Sequence, residues 1–134
     1  MVERLLEELR TALEKSGEKF EVICVNDGSS DATLPKLLSF REGNPYLKII
    51  SLSRNFGLQA ALTAGIEYAS GEYVVIMDGD FQDPPELVPV LLEKIKSTDA
   101  DIVSAVRQSR NEKFTKKLYI NIFHRIFDKV TKGQ

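Results

Sequence analysis

With a single cysteine, Cys24, the chain can form no internal disulfide and no cysteine-built metal site. Cys24 stands inside an apolar run, where the ordinary role is that of a small buried hydrophobe. Histidine is equally scarce. His124 has no second ligand at metal spacing, so a surface or packing role is expected for it. No stretch approaches the roughly 18 to 20 continuous apolar residues that a membrane span needs, and the first residues lack the basic-then-apolar order of a signal peptide. A cytoplasmic address is the expectation. No Gly-x-Gly-x-x-Gly follows a strand-like run, which removes the dinucleotide-binding fingerprint. No linker, repeat or low-complexity tract divides the sequence, so one domain over 1–134 is expected.

What is present describes a globular protein: 43% apolar and 28% charged residues in 134 are enough to bury a core. The net charge of -2 hides an uneven distribution. From Arg107 onward there are eight basic residues against Glu112 and Asp128, a local charge of +6, which leaves -8 on the rest. Such asymmetry suits a C-terminal segment that meets phosphate or an anionic membrane, and no nucleic-acid partner is expected.

Periodicity predicts alternating helices and strands. Val2, Leu5, Leu6, Leu9, Ala12 and Leu13 recur at helical spacing, so a helix over Val2 to Lys15 ends at Ser16-Gly17. Phe20 to Val25 is almost continuously apolar, as in a strand covered on both faces. Ser29, Ser30 or Asp31 can cap the next helix, Pro35 is tolerated in its first turn, and Gly43-Asn44-Pro45 stops it. Leu47 to Leu52 then reads as a strand, Ser53 to Gly57 as a loop, and Leu58 to Ala69 as a helix rich in small residues that can approach the sheet closely. Tyr73 to Met77 reads as a strand, Pro84 to Lys96 as a helix, Asp101 to Val106 as a strand and Phe114 to Val130 as a last helix. This alternation implies an α/β fold with a parallel sheet flanked by helices.

Ligands of open parallel sheets bind beyond the carboxyl ends of the strands. The polar clusters fall there: Asn26 to Asp31, Ser53 to Gly57, Asp78-Gly79-Asp80 and Arg107 each follow a predicted strand. A turn or a cap would explain any one of them singly. Asp78 and Asp80, separated by one glycine, can approach one cation if the chain turns at Gly79, and carboxylate oxygens favour Mg²⁺ or Mn²⁺.

Val25-Asn26-Asp27-Gly28-Ser29-Ser30-Asp31, Ser53-Arg54-Asn55-Phe56-Gly57 and Met77-Asp78-Gly79-Asp80-Phe81-Gln82-Asp83-Pro84-Pro85-Glu86 together resemble glycosyltransferase family 2, of the Rossmann-like GT-A fold. Within it they are most similar to the polyprenyl-phosphate glycosyltransferases, which include dolichol-phosphate mannose synthases and undecaprenyl-phosphate sugar transferases. The resemblance implies a nucleotide-sugar site in which Asp27 meets the base, Asp78 lies near ribose and metal, Asp80 is the main metal ligand with Gln82 as a further one, and Arg107 faces the diphosphate. Arg54 admits two roles, contact with the nucleotide sugar or an ion pair that holds loops together. The implied reaction is inverting transfer of a sugar from a UDP- or GDP-sugar to a polyprenyl phosphate.

The last helix combines an apolar stripe of Phe114, Leu118, Ile122, Phe123, Ile126, Phe127 and Val130 with basic residues. It suits peripheral contact with the inner face of a membrane as well as packing on its own domain. The family's usual first central strand, with its Pro-x-x-Asn-Glu type segment, has no counterpart, nor has the acceptor-side region, so no catalytic residue is assigned. A chain lacking both is expected to be a partial domain, either the donor half of the enzyme or a non-catalytic nucleotide-binding or assembly fragment of it. Strand edges left without a neighbour predict self-association, or direct pairing of Phe20 to Val25 with Tyr73 to Met77.

Overall fold

A computed structural model describes residues 1–106, of which Met1–Ser104 form a compact unit. Its first helix, α1 (Val2–Ser16), ends where Gly17 turns left-handed at φ 71° and donates its N–H to the Glu14 carbonyl at 3.2 Å. Leu5, Leu6 and Ala12 bury its apolar face. The exposed face carries ion pairs one turn apart, Arg4 to Glu8 at 2.7 Å and Arg10 to Glu7 and Glu14 at 2.8 and 2.9 Å. Pairs so exposed are offset by solvent screening and the entropy of the long side chains, so burial of the leucines anchors the helix.

The strand β1 (Val22–Asn26) is joined through α2 (Thr33–Arg41) to β2 (Leu47–Ser51), which lies parallel to it in a register that pairs Val22 with Leu47 and Asn26 with Ser51. None of the three expected caps holds the cap position, which falls on Ala32 without a side-chain cap bond; the Asp31 carboxylate, one residue earlier, accepts the Thr33 N–H at 3.0 Å in a local turn. Pro35 falls in the first turn of α2, as expected. The helix closes when the Asn44 side chain donates to the Phe40 carbonyl at 2.7 Å.

Alternate strand residues serve opposite faces of the sheet. On one face, Val22, Cys24 and Ile49 pack around the buried cluster Leu6, Leu37 and Leu47, which draws α1 and α2 onto the sheet. On the other, α3 (Leu58–Glu67) lies against β1. Gly65 comes so close to Val25 that a Cβ there would sit 3.3 Å from its Cγ2, which is the close approach the small residues predict. The helix α4 (Leu87–Lys96) rests on α1, and Pro84 and buried Pro85 form the turn that precedes it rather than its first turn. Among the described residues no helix is long and apolar enough to cross a membrane.

Two expected strands are not formed. Tyr73 to Met77 and Asp101 to Val106 join no ladder, and β1 pairs with β2 and not with 73–77. The physical reason is that a strand exists through its neighbour. Apolar, β-branched composition supplies an extended backbone but not the partner whose N–H and C=O groups complete it. Val74, Val75 and Ile76 consequently remain 51%, 42% and 56% exposed. The predicted helix Phe114 to Val130, His124 and Arg107 lie outside the described residues.

Candidate functional site

A hydrogen-bonded polar arrangement lies at the carboxyl ends of β1 and β2, where two loops are stitched together by side chains of the first. Asn26, only 5% exposed, donates its amide to Ser51 Oγ at 3.1 Å and accepts the Ser29 N–H at 3.2 Å, while its carbonyl accepts the Leu52 N–H at 2.9 Å. All of these bonds sit at a buried strand end, where an unpaired amide would cost about 1 to 3 kcal/mol. Asp27 reaches further. Its two carboxylate oxygens accept separate backbone amides, from Phe56 at 2.7 Å and from Gly57 at 2.9 Å. Gly57 caps α3, so the negative charge also sits at the favourable end of that helix.

Gly28 makes this approach possible. It holds φ at 70°, and a Cβ there would lie less than 3.0 Å from the backbone of Arg54 and Asn55. The Ser53 to Gly57 loop therefore presses directly on the Asn26 to Ser29 turn. Arg54 is exposed, and its guanidinium lies 4.9 Å from the centroid of the Phe56 ring. Of the two roles open to Arg54, an ion pair that holds loops together is not formed among the described residues. Asp27 performs that task by gripping amides instead.

The Asp78-Gly79-Asp80 segment follows the unpaired stretch 73–77. Asp80 accepts the Gln82 N–H at 2.9 Å and the Gln82 side-chain amide, so two of the expected metal-site residues are in mutual contact. The chain turns at Gly79-Asp80, as the sequence suggests, and the left-handed backbone position, φ 63°, falls just after it at Phe81. A side-chain-bearing residue costs about 1 to 2 kcal/mol in that conformation. The Arg4 guanidinium, 5.3 Å from the Phe81 ring centroid, covers the turn from α1. Among the described residues no group of three His, Cys, Asp or Glu side chains converges as a metal cage. The donor set nevertheless fits a hard cation of the Mg²⁺ or Mn²⁺ kind, which is commonly held by one or two carboxylates with water and substrate phosphate completing the shell. Asp78 and Asp80 are both exposed and carry that chemistry.

The structure thus joins two of the four predicted clusters, those containing Asp27 and Arg54. Asp78 and Asp80 make no hydrogen bond to either loop, and Arg107 lies outside the described residues. An open hollow of about 410 Å³ between α1 and the start of α4, bordered by Glu7, Thr11, Glu86 and Pro89, contains none of the expected site residues. Two contacts escaped sequence reasoning. Both the Asp27 grip on the Phe56 and Gly57 amides and the Arg4 cover on Phe81 span long sequence separations, and no local pattern encodes them. Cys24 behaves as expected: burial pushes its thiol up to about 11, away from nucleophilic use.

Comparison with known proteins agrees with these motifs. The model of the family described as glycosyl transferase family 2 matches residues 1–133. An uncharacterized glycosyltransferase of Synechocystis sp. is 45% identical over 113 residues, 84% of this chain and 35% of the relative. The uncharacterized glycosyltransferase YkcC of Bacillus subtilis is 39% identical over 132 residues, 98% of this chain and 41% of the relative. The chain accordingly spans well under half the length of these curated relatives. A match that runs through both strand-end loops and the Asp78 to Glu86 segment leaves one conclusion, that this chain belongs to glycosyltransferase family 2.

Proposed function

We propose that the chain is the donor-binding part of a metal-dependent, inverting glycosyltransferase that moves a sugar from a UDP- or GDP-sugar to a polyprenyl phosphate. The observation that carries this reading is the locked pair of loops beyond β1 and β2, which sets an exposed guanidinium on the strand-end rim where parallel α/β sheets receive their ligands. Enzymes of this family are generally inverting, use nucleotide-sugar donors and generally depend on a divalent cation.

In the proposed reaction an oxygen of the acceptor phosphate forms a bond to the anomeric carbon. The bond to the diphosphate oxygen breaks from the opposite face, and its electron pair leaves with the nucleoside diphosphate. The nucleophile is already anionic near neutral pH, so positioning and stabilisation of the leaving group carry the catalysis. Asp80 and Asp78, with Gln82 beside them, would hold the cation, which supplies charge neutralisation at the diphosphate. Arg54 and Arg107 would supply guanidinium contacts to phosphate oxygens, and Asp27 would border the nucleotide. The basic, apolar-striped segment 114–130 would bring the chain to the anionic inner face of the membrane that carries the lipid acceptor.

The test is calorimetric titration of the chain with UDP and GDP, with and without Mn²⁺. One nucleotide is expected to bind with metal present, and Asp80→Ala to weaken that binding at least tenfold. Absence of metal-dependent binding, or indifference to Asp80→Ala, defeats the donor-site reading. Turnover of a nucleotide sugar with a polyprenyl phosphate separates sugar transfer from donor binding alone.

A further inference from the structure

Phe81 is the one residue other than glycine with a positive φ, 63°, among the described residues, and it stands between Asp80 and Gln82, two groups that the donor-site reading assigns to the cation. The Asp80 carboxylate on one side of it accepts both the N–H and the side-chain amide of Gln82 on the other. A side chain opposes that backbone conformation, so a loop keeps it only where its surroundings hold it there. The surroundings come from α1. Arg4, in the first turn of that helix, sets its guanidinium 5.3 Å from the centroid of the Phe81 ring. Glu8, one turn further on, steadies the guanidinium by accepting its Nε–H at 2.7 Å. The far end of the segment is tied to the same helix: Pro85 is fully buried, and α4, which begins at Leu87 and buries Val88, rests on α1. The stretch that carries Asp80 and Gln82 is therefore bound to α1 at both of its ends.

We infer that Arg4 is a positioning residue for the cation turn: stacked on the Phe81 ring and steadied by Glu8, it holds the left-handed backbone that keeps Asp80 and Gln82 together. The cation rests on the donor-site reading, while the brace rests on the contact between α1 and the turn. A guanidinium near the turn also carries charge, which would repel a bound cation. Bracing and repulsion predict opposite signs when Arg4 is removed, and only bracing needs the ring.

Two measurements decide it. In the unmodified 134-residue chain without ligand, the Arg4 side-chain protons are expected to show an upfield ring-current shift that disappears in Phe81→Leu. In Arg4→Met, which keeps an unbranched side chain and loses the charge, hydrogen exchange of the Gln82 amide is expected to rise about threefold, while the β1 and β2 amides are unchanged. Arg4 protons without the shift, or a Gln82 amide indifferent to Arg4→Met, overturn the brace. The second measurement is a double-mutant cycle read as Mn²⁺ affinity in the presence of UDP or GDP, from the paramagnetic resonance of free Mn²⁺. Arg4→Met is expected to weaken Mn²⁺ binding about threefold, Arg4→Lys to stay within about twofold of the unmodified chain, and Arg4→Met to have no effect in the Phe81→Leu background. Tighter binding in Arg4→Met, or a loss that persists without the ring, would show Arg4 acting by charge and would overturn the positioning role. The sign of the Arg4→Met effect separates bracing from repulsion even if Phe81→Leu fails to fold. A chain that binds no Mn²⁺ fails the donor-site reading, and the spectra of the free chain then decide the brace by themselves.

Discussion

Glu21 shows how much a single side chain can organise when its partners come from two distant parts of the chain. One carboxylate oxygen accepts both the N–H and the hydroxyl of Ser70, at 2.7 and 2.6 Å, and the other pairs with Lys48 of β2. Lys48 first, and then the two Ser70 hydrogen bonds, lower its pKa from the ordinary 4.5 to about 2. A carboxylate whose folded value lies below its unfolded value stabilises the fold fully above the unfolded value, and that stabilisation is lost as pH falls toward the folded one. The stability gap between the unmodified chain and Glu21→Gln is therefore expected to be constant above about pH 5 and to close between about pH 4.5 and 2. Urea unfolding across that range checks it, and a gap independent of pH would show that Glu21 is not the anchor described. Neither partner is a sequence neighbour of Glu21. The motif residues were legible in the sequence, and the contacts that hold them were not.

At the scale of elements, legibility followed how each element is stabilised. The helix α1 could be read from the spacing of Leu5, Leu6, Leu9 and Ala12, because a helix completes its hydrogen bonds within itself and needs only one apolar face to dock. Leu6 lies at the meeting point of α1, α2 and β2, 3% exposed beside Leu37 and Leu47. Leu6→Ala is expected to destabilise the fold by about 2 to 4 kcal/mol, measured by thermal or urea unfolding, since a cavity there opens beneath three elements at once. A loss below about 1 kcal/mol would mean that the cluster collapses around the gap or is not the core. The run Tyr73 to Met77 has as good a strand composition as β1 and yet forms no ladder, because a strand's hydrogen bonds belong to its neighbour as much as to itself. The turn that carries Asp78 and Asp80 is a related case. Its special backbone position is Phe81, under Arg4, and nothing local in Asp-Gly-Asp favours Phe81 over Gly79.

For the molecule as a whole, the consequence of that unpaired run is an exposed apolar surface. Val74, Val75 and Ile76 combine open side chains with backbone groups that no ladder satisfies, the arrangement that promotes pairing between chains. The chain is expected to self-associate in a concentration-dependent way, and Val75→Lys to shift the population toward monomer. Light scattering over a hundredfold concentration range reads this, and a strict monomer at every concentration would rule it out. The sequence by itself determined the α/β class, the presence of the four described helices and the two paired strands, the family and the identity of the polar residues at the strand ends, because periodicity and motif spacing are local properties. Only the tertiary structure decided that β1 meets β2 and not 73–77, that the Asp27 carboxylate ties the loops, and that Phe81 takes the left-handed backbone position after the turn. Each of those outcomes depends on groups far apart in the chain competing for the same hydrogen bonds and the same space, and no window of sequence contains that competition.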